Sequence, residues 1–143
     1  MIFIAHRGNT EGKNPLLENN PLYIEQALKK KCDVEVDVWY DGSWYLGHDK
    51  KMWGVTRKWL RDHSYGCWYH AKNFEALNRM MDDGIIKEVF WHNDDKFTIT
   101  KGGYIWTRPN NDFSKKSIVY LNEGDLTIYQ CHGICSDDVL LRK

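Results

Sequence analysis

Residues 32–49 have the sequence CDVEVDVWYDGSWYLGHD, and this stretch organises the interpretation of the whole chain. Three valines alternate with Glu35 and Asp37, so a β-strand places the valines on one face and both carboxylates on the other. Asp41-Gly42 predicts a hairpin turn, and Trp44-Tyr45-Leu46 predicts a returning strand. Neighbouring carboxylates repel each other unless a cation or a proton lies between them. The stretch therefore indicates a cation site or, as the alternative, a strand edge whose carboxylates face solvent.

The bulk composition predicts one domain, residues 1–143, in the cytoplasm. Lys and Arg together number 20, as do Asp and Glu, so the net charge is zero and a general nucleic-acid binder is not expected. The four cysteines have neither zinc-site spacing nor the density of a secreted disulfide framework. The amino-terminal MIFIAHRGN meets charge too early for a signal peptide, and no apolar run is long enough to span a membrane.

The spacing of apolar residues predicts helices over residues 18–31, 56–63 and 74–83. Asn20-Pro21 is typical of a helix cap followed by proline at the first helical position. Most of the remaining apolar runs are short and predict strands, including a late one over residues 126–131.

Several of the predicted strands end in a histidine. His6, His48, His70 and His92 each follow a strand-like run. In barrels and open sheets of α/β type, active sites gather at the carboxyl ends of the strands. A structural hydrogen bond would explain one such histidine, but four at equivalent positions predict a shared pocket.

The predicted pocket combines acidic, basic and imidazole side chains. Its members are His6, Arg7, Glu35, Asp37, His48, His70 and Lys72. Two carboxylates with an imidazole suit a divalent cation, whereas Arg7 and Lys72 suit an anionic substrate. His6 and His48 can serve as general base and general acid near neutral pH. Together these groups favour metal-assisted phosphoryl transfer on a phosphate ester.

Four motifs in the first third of the chain resemble the signature of the glycerophosphodiester phosphodiesterases, a family within the PI-PLC-like phosphodiesterase superfamily. In order, they are Ala5-His6-Arg7-Gly8, Glu18-Asn19, Glu35-x-Asp37 and His48-Asp49. Farther on, His70-Ala71-Lys72 resembles the family's Glu-x-Lys with a histidine in place of the glutamate. Ile105-Trp106-Thr107 resembles its late Trp-Thr strand. The whole chain is similar to a compact bacterial and phage branch of the family.

The resemblance implies a compact, reduced TIM-barrel-like α/β fold with short late connections. It implies hydrolysis of a glycerophosphodiester-like small molecule, as in lipid metabolism, with the help of a divalent cation. The implied roles are metal binding by Glu35, Asp37 and His70, acid–base catalysis by His6 and His48, substrate binding by Arg7, Lys72 and Trp106, and support of the first loop by Glu18. His92 and Asp94 have no counterpart in the family signature and are assigned to the substrate pocket by position alone.

Two departures from the family pattern keep other interpretations open. Mg²⁺ or Ca²⁺ is the expected cation, but an imidazole in place of a carboxylate also admits Mn²⁺ or Zn²⁺. The chain is also short for an eight-stranded barrel. The alternatives are a non-catalytic barrel that binds phosphate or another anion, and a lyase that forms a cyclic phosphate by internal attack.

Overall fold

The computed structural model describes residues 1–142, which form one mixed β-sheet with helices packed on one face. The described strands are β1 (Ile2–His6), β2 (Asp33–Tyr40), β3 (Trp44–Leu46), β4 (Trp53–Val55), β5 (Cys67–Ala71), β6 (Val89–Phe90), β7 (Phe97–Ile99), β8 (Ile105–Thr107), β9 (Ser117–Tyr120) and β10 (Gly133–Ser136). The described α-helices are α1 (Pro21–Lys29), α2 (Arg57–Asp62) and α3 (Phe74–Asp82), and 3₁₀ helices cover Leu126–Ile128 and Val139–Arg142.

The sheet brings the two ends of the chain together. Its hydrogen-bonded order is β4-β3-β2-β1-β10-β9-β8-β7, and β5 pairs with β2 and β6. Strands β6, β5, β2, β1, β10, β9 and β8 are joined by parallel pairings, whereas β3, β4 and β7 pair in antiparallel fashion. The carboxyl ends of the parallel strands therefore lie along the same edge of the sheet.

The predicted compact, reduced TIM-barrel-like α/β fold with short late connections is wrong. The sheet is mixed, only 21% of the chain is helical, and no strand ladder joins β6 to β8 within residues 1–142. A barrel of that class needs a helical crossover between successive parallel strands, which takes a dozen or more residues. Residues 108–116 link β8 to β9 without a helix, as short late connections require, so the departure lies in the antiparallel strands β3, β4 and β7 and in the low helix content.

Strand β2 lies inside the sheet and is buried on both faces. Its three valines are fully buried and belong to one apolar cluster with Ile24 of α1 and Met80 of α3. On the opposite face Glu35 is 3% exposed and Asp37 is fully buried. The alternative of a solvent-facing strand edge is therefore wrong, and both carboxylates are held away from bulk water.

The first helix begins where its capping residue predicts and covers residues 21–29 of the predicted 18–31. The Asn20 side chain accepts hydrogen bonds from two backbone N–H groups of α1, whose first residue is Pro21. The predicted strand over residues 126–131 is wrong, because the Tyr129 N–H donates to the Leu126 carbonyl and closes a 3₁₀ turn instead. Among the described residues, no helix has both the length and the apolar character to cross a membrane.

A second apolar cluster lies on the sheet face opposite the helices. It contains Trp68 of β5, Phe90 of β6 and Trp106 of β8. The Phe90 and Trp106 rings stack with centroids 4.5 Å apart. This contact connects β6 to β8 at the point where no strand ladder does, and it forms the floor of the cleft described next.

Candidate metal centre and active-site cleft

A cleft of about 1010 Å³ lies at the carboxyl ends of the parallel strands. Most of the side chains predicted to form a pocket line it: His6, Arg7, Glu35, His48, His70, Lys72, His92, Asp94 and Trp106. Asp37 lies beneath this surface, in contact with the lining residues Arg7 and His70. Glu18 lies behind Arg7 and accepts a 3.1 Å hydrogen bond from its guanidinium group. The structure therefore brings the predicted residues to one region of the molecule.

Glu35, Asp37 and His70 form a cluster whose ligand atoms all lie within 4.8 Å of one another. The His70 Nδ1 atom is 3.2 Å from Asp37 Oδ1 and 3.5 Å from Glu35 Oε1. Both Glu35 Oε2 and Asp37 Oδ1 are buried without a hydrogen-bond partner. An unpartnered buried carboxylate oxygen is unfavourable, and a divalent cation between the two carboxylates would remove that cost. The donor set therefore fits a divalent cation held by two carboxylates and one imidazole.

The tautomer of His70 is set by its second ring nitrogen. Its Nε2 atom is 2.9 Å from the His92 carbonyl oxygen, which only accepts hydrogen bonds, so Nε2 carries a proton. The ring also stacks on Phe90 at a centroid distance of 5.0 Å. Nδ1 is therefore the nitrogen that points at the two carboxylates. A backbone acceptor on the far nitrogen is the usual way in which a protein orients a metal-binding histidine.

A proton on His70 takes the place of the cation when the centre contains protein groups alone. Burial would lower the pKa of His70, but contact with Asp37 and Glu35 outweighs it and raises this pKa to about 9. Burial would also raise the pKa of Asp37, but the charges of His70 and Arg7 and a hydrogen bond from Asn19 hold it well below its usual value. A cation that binds here must displace the proton from Nδ1.

His6 is oriented by Asp137, a residue that sequence reasoning missed. The His6 Nδ1 atom donates to Asp137 Oδ1 at 2.7 Å, and Asn9 and Asn122 also donate to this carboxylate, at 2.8 and 3.0 Å. Burial opposes ionisation, yet these hydrogen bonds hold the pKa of Asp137 at about 2. The His6 Nε2 atom is left facing the cleft, 3.8 Å from Glu35 Oε2. The available signal was the short apolar run of residues 133–135, which predicts a strand and is followed by Ser136-Asp137.

Two cations lie beside the buried carboxylates. The Arg7 Nε atom is 3.2 Å from Asp37 Oδ2, and the Lys72 Nζ atom is 3.9 Å from Asp37 Oδ1. Arg7 also has a φ of 54°, in the left-handed region that few residues other than glycine adopt. Its backbone N–H donates a hydrogen bond to the Glu35 carbonyl oxygen. Both cations also line the cleft, where they are placed to contact an anionic ligand.

His48 lies at the rim of the cleft rather than at the centre. Its side chain is 39% exposed, and its Nδ1 atom is 2.7 Å from Asp49 Oδ1. Among the described residues, no hydrogen bond or ion pair links it to Glu35, Asp37 or His70. The structure therefore brings His48 to the same cleft as His6 while keeping it more accessible to solvent.

Comparison with known proteins identifies no family for this chain. No protein-family model, no curated protein and no solved structure matches it. The resemblance to glycerophosphodiester phosphodiesterases stays a prediction that depends on the motifs.

Proposed function

We propose that this protein hydrolyses a phosphodiester with the help of a divalent cation and histidine acid–base catalysis. One observation carries the proposal. Two buried carboxylate oxygens, Glu35 Oε2 and Asp37 Oδ1, have no hydrogen bond and converge with His70 Nδ1 on one edge of an open cleft. The buried carboxylate oxygens of a structural cluster are usually hydrogen-bonded.

The residues around this centre supply the remaining parts of a hydrolytic site. A cation bound by Glu35, Asp37 and His70 would neutralise negative charge on the phosphate. Arg7 and Lys72 hold the same phosphate from the cleft side.

The two histidines of the cleft move the protons. His6 accepts the proton of the attacking oxygen at Nε2, since Asp137 fixes the proton on Nδ1. His48, at the accessible rim, protonates the leaving alcohol. This division of roles places the leaving group toward solvent, where a product alcohol can depart.

The substrate is a small phosphodiester, with glycerophosphodiesters as the first candidates. The motif resemblance supports this class, and the zero net charge of the chain does not favour nucleic acid. The four cysteines are all free thiols, which supports a reducing compartment such as the cytoplasm. The attacking oxygen is that of water in a hydrolase and a neighbouring substrate hydroxyl in a lyase, and a cyclic phosphate product distinguishes the lyase.

The test is hydrolysis of bis(p-nitrophenyl) phosphate and of glycerophosphodiesters by chelator-treated protein, with Mg²⁺, Mn²⁺, Ca²⁺ or Zn²⁺ restored singly. Turnover is expected to return with at least one cation and to vanish in Glu35→Gln. His6→Ala is expected to lower it by about a hundredfold or more. Glu75→Gln, at an exposed carboxylate on α3, is the matched control. Turnover in Glu35→Gln equal to that of the wild type would contradict the proposal.

A second candidate is a metal-free module that binds an anion without catalysis. The raised pKa of His70, about 9, supports it, because the protonated ring places a positive charge between the two carboxylates. This candidate predicts phosphate binding in the presence of a chelator, no turnover with any cation, and no cation binding by the wild-type protein.

A further inference from the structure

A second layer of side chains lies above the aromatic floor of the cleft. Phe90 of β6 stacks on Trp106 of β8 across the point where the two strands do not pair. Two residues farther along each segment, His92 and Arg108 also line the cleft. Both residues lie just beyond the ends of their strands, on the wall of the same cleft.

Neither residue of this layer has a polar partner. Both ring nitrogens of His92 are buried without a hydrogen-bond partner. Within residues 1–142, no hydrogen bond or ion pair involves the Arg108 guanidinium group. Burial lowers the pKa of His92, and the charges of Arg108 and His70 lower it further. The carboxylates of Asp95 and Asp94 raise this pKa by less. Buried ring nitrogens without a hydrogen bond are unfavourable for stability, and at the wall of a cleft a bound ligand would satisfy them.

We infer that His92 and Arg108 form an anion subsite that binds a second negatively charged group of the substrate, a phosphate or a carboxylate. The inference rests on the proposed function and specifies its substrate: a phosphodiester that carries a further anionic group on one arm. Arg108 supplies a bidentate donor, and the His92 ring supplies a further N–H.

The aromatic rings set how far this second group lies from the scissile phosphate. His70 stacks on Phe90 at 5.0 Å, and Phe90 stacks on Trp106 at 4.5 Å. The His92 carbonyl oxygen is also 2.9 Å from His70 Nε2, so the subsite adjoins the proposed metal ligand and lies within reach of a short substrate arm. Asp94 and Arg108 both line the cleft and are both exposed, so that water screens the two charges alike, whereas the His92 nitrogens are buried.

The test uses metal-free protein, so that it requires no turnover. Calorimetric titrations with inorganic phosphate and, separately, with malonate determine which anion binds. Lys72→Met weakens the site for the scissile phosphate and is expected to leave subsite binding within about twofold. Adding Arg108→Met or His92→Phe to that variant is expected to weaken binding by about tenfold or more. His92→Phe is also expected to raise the melting temperature, because it removes two buried nitrogens that have no hydrogen bond. A higher melting temperature would show that the loss of anion binding does not come from misfolding.

Each outcome distinguishes this inference from the proposed function. Equal anion affinity with and without Arg108, or no anion binding by Lys72→Met, would overturn the subsite. Metal-dependent turnover by a protein whose subsite fails this test would overturn the subsite alone. A third outcome is that Arg108→Met loses anion binding while the wild-type protein shows no turnover with any cation. This outcome would contradict the proposed hydrolysis and leave the subsite in place.

Discussion

Raising the pH of the metal-free protein is expected to remove stability that the protonated His70 provides. Below its unfolded-state pKa of 6.5, the ring is protonated in both the folded and the unfolded state. Between 6.5 and about 9, the folded protein holds a proton that the unfolded chain has lost. The stabilising contribution is therefore complete below pH 6.5 and is lost as the pH rises through 9.

The size of the effect follows from the shift in pKa. A group with pKa values of 6.5 unfolded and about 9 folded loses about 2 kcal/mol of its contribution between pH 6.5 and about pH 8.5. The raised pKa values of Cys67 and Tyr120, both about 12, act mainly at higher pH, where their unfolded counterparts ionise. The window below about pH 8.5 therefore reports chiefly on His70.

The assay is urea unfolding in chelator at several pH values across this window, with His70→Gln as the matched variant. Glutamine keeps a hydrogen-bond donor but does not titrate. The wild-type free energy of unfolding is expected to fall by about 2 kcal/mol more than that of His70→Gln. Parallel pH profiles for the two proteins would refute the assignment of a proton on His70 between the carboxylates.

Three further predictions concern the same structure. Asp137→Asn is expected to lower turnover by about a hundredfold, because His6 loses its orienting carboxylate. Steady-state kinetics measures this loss, and an unchanged rate would contradict the role of Asp137. Mn²⁺ affinity is expected to rise about tenfold per pH unit between pH 6.5 and about 9 as the ion displaces the His70 proton, whereas a flat calorimetric profile would oppose this. Lys101→Met is expected to destabilise the fold by about 3 kcal/mol in urea unfolding, because the ammonium group donates to three backbone carbonyls after and within α3. Lys29 is exposed, and Lys29→Met is the control, with an expected change in the free energy of unfolding within about 0.5 kcal/mol. Similar effects of the two substitutions would contradict the role of Lys101.

Local patterns in the sequence predicted much of the candidate site. The alternation around Glu35 and Asp37 set the two faces of β2, since side chains of a strand point alternately to opposite sides. The strand-end positions of His6 and His70 placed them at the same sheet edge, because parallel neighbours share their carboxyl ends. These predictions needed only short-range periodicity and one assumption about strand direction.

The rest depended on contacts between distant parts of the chain. Asp137 contacts His6 only because β10 pairs with β1, across a sequence separation of 131 residues. The three-residue strand β7 has no clear alternation and forms through antiparallel pairing with β8. Arg108 belongs to no motif, and its importance appears only beside the buried, unpartnered His92. The fold prediction was wrong for the same reason, since closure of a sheet is a property of long-range pairing.

The most direct test of the proposed centre is Mn²⁺ binding to chelator-treated protein, measured by calorimetry for wild type, Glu35→Gln and the control Glu75→Gln. A single Mn²⁺ per chain, with release of a proton below about pH 9, is expected for the wild type and for the control. Glu35→Gln is expected to lose this binding. Equal binding by all three proteins, or none by the wild type, would contradict a cation centre formed by Glu35, Asp37 and His70.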